Sequence, residues 1–287
     1  MVGPLKRLSE PLSMARAPSR TLLAQPRRKG KLLPMFLLLS AALAAEISSD
    51  TVAAVPDGDV MNLVSGERVQ LRGVRAPSSG QDYGIEAREA ARAMVSGQEV
   101  VLSVRGDPRD EHGRLVASVR SLEGDLALSL VERGYAWIEV VPPDDLDLTM
   151  LRSAQRAARA ARRGVWATER FAGAFHIVEF IANAEGDDRD NINGELLRIG
   201  NISDQDLNLK GYSLRDRNGN MWILPSVVVP VGQTIQIRSG MGSNQINPRQ
   251  PLVIYLGSDR PIWNNTEDQA TLTDRSGRVV DVVKQQR

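Results

Sequence analysis

The stretch Val69-Gln70-Leu71-Arg72-Gly73-Val74-Arg75-Ala76-Pro77-Ser78 sets the reading of the first half of the chain. Val69–Val74 has the β-branched and alternating texture of a strand, and Gly73 and Pro77 punctuate its end. Working outward, Pro56-Asp57-Gly58-Asp59 is a turn between two short apolar runs, Thr51–Val55 and Val60–Val64. Ile85–Val95 has helical periodicity. Glu99–Arg105 and Leu115–Ser121 read as two more strands around a polar turn at Asp107–Gly113. Leu126–Arg133 reads as a helix ended by Gly134. Leu146–Arg163 reads as a second helix, with Leu148, Leu151, Ala154, Ala158 and Ala161 near helical spacing and Gly164 as its stop. Five strands with helices after the third and fifth predict a small barrel with helices packed on it.

From Phe175 the texture changes. About eight short strand-like runs recur: His176–Ile181, Glu195–Ile199, Tyr212–Leu214, Trp222–Leu224, Thr234–Arg238, Leu252–Leu256, Ala270–Thr273 and Val279–Val283. Turn clusters such as Asp216–Asn220 separate them and no long helix is expected, a pattern that predicts a β-sandwich. The 287 residues hold 42% hydrophobic and 25% charged side chains, which excludes a collagen-like, disordered or polytopic membrane chain. There is no cysteine and there are two histidines, His112 and His176. Disulfides, thiolate zinc sites and histidine-rich metal centres are therefore excluded, and any hard metal would need carboxylate and carbonyl oxygens.

The net charge of +1 hides an asymmetry. Residues 1–45 carry eight Lys/Arg against Glu10, a balance of +7, so residues 46–287 sum to −6. An acidic body disfavours non-specific nucleic-acid binding, which draws on Lys and Arg. Arg27-Arg28-Lys29-Gly30-Lys31 followed by apolar Leu32–Ala45 reads as a secretory signal, with cleavage after Ala42-Leu43-Ala44 or Leu43-Ala44-Ala45 and Met14 as an alternative start. The competing reading, a membrane anchor, needs about 20 apolar residues, and this run is shorter and contains Pro34. Residues 1–45 are thus expected to be a signal peptide, and the remainder periplasmic or extracellular.

The first domain, residues 46–168, resembles a staphylococcal-nuclease-type domain. The resemblance rests on six landmarks in order: Asp57-Gly58-Asp59; Val69–Pro77; Tyr83-Gly84-Ile85-Glu86-Ala87; Asp110-Glu111-His112-Gly113-Arg114-Leu115; Leu130–Ala136; and Ala158–Trp166. It implies an OB-fold barrel with packed helices. It also implies phosphodiester cleavage with calcium, a carboxylate proposed as general base, and two arginines. Residue by residue, Asp59 stands at a calcium-ligand position and Arg114 at one of the arginines. Gln70 replaces the other arginine, Arg75 replaces a second metal carboxylate, and Ser78 replaces the base. A rebuilt site would draw on Arg72, two residues from Gln70 and so about 7 Å along the same strand face, with Asp82 or Glu86 moving toward the metal position. Asp59 and Arg114 otherwise read as a turn-capping aspartate and an ion-paired arginine. On this reading there is no cofactor, with calcium required only if cleavage survives.

The second domain, residues 173–287, resembles a lamin-tail domain, an immunoglobulin-like β-sandwich. The resemblance rests on His176-Ile177-Val178-Glu179, Gly194–Asn201, Leu209-Lys210-Gly211-Tyr212-Ser213-Leu214-Arg215-Asp216, Pro230–Gln233, Trp263–Asp274 and Gly277–Asp281. It implies a tethering or binding role. Asp187, Asp188 and Asp190 form either a solvated loop or a calcium loop, and Trp222 and Trp263 are either core aromatics or recognition residues. Arg152, Arg156, Arg159, Arg162 and Arg163 make the one basic stretch of residues 46–287, read as a solvated helix face or a nucleic-acid contact. Asp144, Asp145 and Asp147 just before it suit the positive end of the helix dipole and support the first. The function expected is an exported two-domain binding or scaffold protein whose partner is nucleic acid, another envelope protein or a cell-wall polymer. The alternatives are a diverged calcium-dependent DNA/RNA endonuclease and a purely structural envelope module.

Overall fold

The computed structural model describes residues 46–105, 109–110, 112–184, 186–187 and 189–284. The expected signal segment, the start of the 107–113 turn and Asp188 of the acidic loop lie outside them. Among the described residues, no helix is long and apolar enough to cross a membrane.

The first half holds β1 (Glu46–Asp57), β2 (Val60–Leu63), β3 (Arg68–Leu71), β4 (Val74–Arg75), β5 (Glu99–Val104), β6 (Leu115–Ser121), β7 (Gly124–Asp125) and β8 (Trp137–Ile138), of which β4 and β8 pair apart from the barrel. Its strands run in the order β3-β2-β1-β5-β6-β7, and a parallel β3–β6 pairing closes the ring. β1 is longer than the apolar run suggested, because its first half pairs with β5 and its second half, bent by two register shifts, with β2. The turn Asp57-Gly58-Asp59 is tight for a steric reason. A Cβ at Gly58 would lie 2.9 Å from the Cβ atoms of both Ala76 and Ala87.

Three helices cover the barrel: α1 (Gly84–Val95), α2 (Leu126–Arg133) and α3 (Thr149–Ala160). α2 starts where the Asp125 carboxylate accepts from Leu128 N at 2.9 Å and ends at Gly134 in a left-handed conformation. α3 is shorter than its sequence pattern. Asp147 takes the Thr149 N–H at 3.0 Å, and Arg162 turns left-handed at φ 51° before Gly164 is reached. Asp144 and Asp145 do not serve the helix dipole as expected. They turn instead to arginines across the barrel. Val52, Met61, Val69, Leu71, Val100, Ala117, Val119, Leu126 and Leu130 are among the side chains that fill the core.

The second half is a sandwich of two four-stranded sheets. One is formed by β9 (Phe175–Ile181), β10 (Leu196–Asn201), β15 (Thr234–Arg238) and β16 (Leu252–Tyr255). The other is formed by β12 (Ser213–Arg215), β13 (Met221–Ile223), β17 (Gln269–Thr273) and β18 (Val279–Lys284). A two-residue pair, β11 (Leu207–Asn208) with β14 (Val228–Val229), completes it. Leu197, Ile199, Ile235 and Ile237 of one sheet share a core with Leu214, Ala270 and Leu272 of the other. Trp263 is buried and Trp222 half-buried within 6.0 Å of it, so both follow the core reading.

The described residues form one compact unit. Trp137, Ala158, Val165 and Trp166 of the barrel side pack with Phe171 and Ile202 in a third apolar cluster. Gln155 bridges the seam, accepting from Ile138 N at 2.7 Å and donating to Ile202 O at 3.2 Å. Val140 N donates to Gly232 O at 2.7 Å. Gly232 has φ +74°, and a Cβ there would meet Ile138 Cγ2 at 2.5 Å, so this approach of the two domains requires glycine.

Candidate functional site

The expected strand Val69–Val74 is broken in two. β3 ends at Leu71, Gly73 takes φ +81°, and Val74-Arg75 restart as β4 beside Trp137-Ile138 of β8. Gln70, inside β3 between the core residues Val69 and Leu71, faces away from the barrel core and is 8% exposed, and Arg72 lies just past the strand end. Gln70 and Arg72 line the same cavity. The Arg72 guanidinium pairs with Asp144 and, at 2.8 Å, with Asp145. The restart also sets Arg75 beside the segment that follows β8, where Glu139 stands.

Arg75 and Glu139 form the centre of the site. Arg75 Nη2 and Nε reach Glu139 Oε1 at 2.7 and 3.0 Å. Glu139 is 8% exposed, and its Oε2 is buried with no hydrogen-bond partner. Asp59, 3% exposed, accepts from Gln70 Nε2 at 2.9 Å. Burial pushes the Asp59 carboxyl above the ordinary carboxylate range, opposed by the nearby Arg75 charge and the Gln70 hydrogen bond. Glu139 holds the Arg75 guanidinium well above its ordinary value against the cost of burial, with Asp59 and Glu179 adding to the effect. Glu179 belongs to β9, so this charge network crosses from barrel to sandwich.

A calcium ion does not fit here. Calcium takes six to eight oxygen ligands. The expected ligand Asp59 is occupied by an amide donor and faces a guanidinium. Asp82 and Glu86 are exposed. Among the described residues, no group of three His, Asp or Glu side chains is arranged to hold a metal. Ser78, at the expected base position, is exposed, and its backbone N–H donates to Gln81 Oε1 at 3.0 Å.

Beside this network lies a cavity of about 440 Å³. Its barrel wall includes Gln70, Arg72, Arg75, Arg114 and Glu139, and its sandwich wall includes Arg198, Thr234 and Gln236. Arg114, the retained family arginine, lines it, with Nε 2.7 Å from Asp110 Oδ2. Arg105 and Arg109, also on the wall, pair with Asp145 and Glu67 at 2.9 and 2.8 Å. Arg198 of β10 lies 3.3 Å from Glu179 and is 7% exposed. The structure thus brings Arg72 and Arg114 to one cavity but keeps Asp59 behind Gln70 and off its wall. Glu139 and Arg198 were missed in the sequence, though each is a lone charge in an apolar run, Ala136–Val141 and Leu196–Ile199.

The basic face of α3 follows neither expected reading in full. Arg152 donates to Asp204 O at 3.2 Å, and Arg156 lies 3.6 Å from the Asp204 carboxylate. Arg159 donates to Ile202 O at 2.7 Å and Gly173 O at 3.1 Å while stacking over Trp166. Arg162 and Arg163 donate to Ala167 O and Glu132 O. This face fastens α3 to the sandwich and to its own flanks. His176, fully buried, sits against Phe171 with Nδ1 2.6 Å from Asp281 Oδ2, part of the same seam.

A family model described as staphylococcal nuclease homologue matches residues 68–168, and one described as lamin tail domain matches residues 171–287. A protein named "Succinoglycan biosynthesis protein ExoI", from Rhizobium meliloti, is 32% identical over 154 residues, half of this chain and 77% of its own length. The chain belongs to the staphylococcal nuclease homologues. Among other members, a thermonuclease of Staphylococcus intermedius is 28% identical over 126 residues, covering 42% of this chain and 71% of the relative. A rice protein named "Probable staphylococcal-like nuclease CAN1" is 30% identical over 103 residues, 36% of this chain, and the chain spans 30% of that relative. This nuclease homologue carries a lamin tail domain whose β10 and β15 supply one wall of the barrel's cavity.

Proposed function

We propose that this nuclease homologue is an exported binding protein whose barrel holds an anionic ligand without metal-dependent cleavage. The observation that carries the reading is the Arg75–Glu139 ion pair beside Asp59. A guanidinium from the chain itself supplies the positive charge among the carboxylates, and the Gln70 amide occupies the Asp59 oxygen. Loss of a general base alone costs about 10²–10⁴ in rate, and here one metal carboxylate and one arginine are replaced as well. The arginine-lined cavity retains what binding an oxyanion needs. Nucleic acid, another envelope component and a cell-wall polymer are the partner classes, and the lamin tail domain serves as the second interaction surface. Export rests on the basic and apolar sequence of residues 27–45.

A second reading, a diverged calcium-dependent endonuclease, draws on Arg114 lining the cavity and on relatives named as nucleases. The two are separated by incubating the full chain with single-stranded DNA and RNA, in calcium and in chelator, beside the Arg114→Ala variant. The expected outcome is no calcium-dependent cleavage by the folded chain. Calcium-dependent cleavage that disappears in Arg114→Ala overturns the proposal.

A further inference from the structure

The cavity offers two kinds of unused chemistry. The first is cationic: Arg72, Arg75, Arg105, Arg109, Arg114 and Arg198 all reach its wall, against Asp110, Glu139 and Asp144. Each guanidinium has five N–H donors, and for Arg72, Arg75, Arg105, Arg109 and Arg114 the ion pairs to Asp144, Glu139, Asp145, Glu67 and Asp110 use only some of them. The second is a pair of acceptors. Gln70 Oε1 and Glu139 Oε2 are buried and without a hydrogen-bond partner, and both residues line the cavity. A buried acceptor left unmet is costly and calls for a donor.

A bare oxyanion meets the arginines but is repelled by the Glu139 carboxylate. A neutral polyol meets the two acceptors but leaves the remaining guanidinium donors without an anion. One molecule with an oxyanion at one end and hydroxyl donors at the other meets both. The volume of about 440 Å³ lies in the usual range of small-molecule sites. The sandwich wall is held in place by the Val140 N to Gly232 O hydrogen bond at 2.7 Å and by Gln155 across the seam.

We propose that barrel and sandwich together form a site for a compact, hydroxyl-bearing oxyanion, a sugar phosphate or sugar acid of one or two rings. Arg198 and Gln236 of the sandwich are its specificity residues, Arg114 and Arg75 hold the oxyanion from the barrel side, and Gln70 and Glu139 accept from the hydroxyls. The proposal rests on the reading that this cavity binds rather than cleaves. It adds that the lamin tail domain is part of the site and that the ligand is small.

The test is calorimetric titration of the full chain with glucose 6-phosphate, glucuronate, glucose, inorganic phosphate and a single-stranded DNA oligonucleotide. Saturable binding of glucose 6-phosphate or glucuronate is expected, at least about tenfold tighter than glucose or inorganic phosphate, since charge-assisted hydrogen bonds and hydroxyl contacts each carry about that factor. The phosphate and carboxylate arms distinguish the two sources of the oxyanion. Arg198→Gln is expected to weaken the preferred probe about tenfold or more. Gln236→Ala, a gentler change on the same wall, is expected to weaken it severalfold while the melting temperature stays unchanged. Binding that ignores both variants, binding of inorganic phosphate or oligonucleotide alone, or no heat with any probe overturns the inference. Oligonucleotide binding without cleavage overturns it while leaving the binding reading intact; calcium-dependent cleavage removes that reading instead.

Discussion

Buried carboxylates in the sandwich and buried polar groups in the barrel cavity are used differently. Glu195 is fully buried and accepts from the backbone N–H groups of Ile262 and Trp263 at 2.9 and 3.3 Å. Asp268 accepts from the backbone of Asn264, Arg217 and Gln269. Asp216 accepts from Asn220 N and Nδ2. These carboxylates organise loops by satisfying N–H groups that would otherwise be orphaned. In the cavity, Gln70 and Glu139 each keep a buried oxygen with no partner, and Glu139 meets a side chain, Arg75, rather than holding a loop in shape. Saturated polar groups mark what the fold requires; spare capacity on a cavity wall marks what is left for another molecule.

The largest effect expected from this contrast is in the sandwich. Glu195→Ala strands two backbone donors in a buried loop and is expected to cost about 3 kcal/mol of unfolding free energy, measured by urea denaturation at neutral pH. The binding of any cavity ligand should be unchanged once the variant is folded. A loss below about 0.5 kcal/mol, the usual effect of a surface substitution, would break the contrast.

In the cavity the expected effect is smaller and reversible by a second change. Arg75→Leu leaves Glu139 buried without its partner. Because Arg75 is 29% exposed, the cost should fall below the 3–5 kcal/mol of a fully buried pair, at about 2 kcal/mol. Adding Glu139→Leu removes the orphaned charge, and the double variant should regain most of the loss, since an ion pair replaced by apolar side chains is often neutral. A double-mutant cycle reads the coupling directly. Purely additive losses would mean that the two side chains are held independently.

The same division governs how much was legible in the sequence. The barrel and sandwich follow local signals: Asp57-Gly58-Asp59, the apolar alternation of Val69–Leu71, and Thr234–Arg238, whose expected bounds are those of β15. Asp59, Arg114 and Gln70 could be placed by motif. Arg198 and Glu179 could not, because their meaning arises only when the sandwich is laid on the barrel, and Glu139 could not, because it meets Arg75 only once β4 pairs with β8. The pairing of Arg72 with Asp144 and Asp145 was not legible either, because a strand pattern does not show which loop carboxylates lie across from it. The arginines of α3 look like a solvated or nucleic-acid face in one dimension, since backbone acceptors such as Ile202 O carry no sequence signal.

The smallest effect is a pH dependence at Asp59, and its sign separates a leftover metal ligand from a carboxylate placed for its charge. Burial raises the folded-state pKa of Asp59 above the unfolded value near 3.8. A group raised in this way binds more protons folded than unfolded between the two values, so stability falls as pH rises through that window. Below the unfolded value both states are protonated, and Asp59→Asn should match the parent, since either side chain can meet the Gln70 amide with an oxygen. As pH rises the parent loses ground, and above the folded pKa the asparagine variant should hold a constant advantage in melting temperature. The opposite slope, an advantage for aspartate that grows with pH, would mean that the attraction of Arg75 outweighs burial and that the carboxylate is held ionised, as a bound cation would hold it.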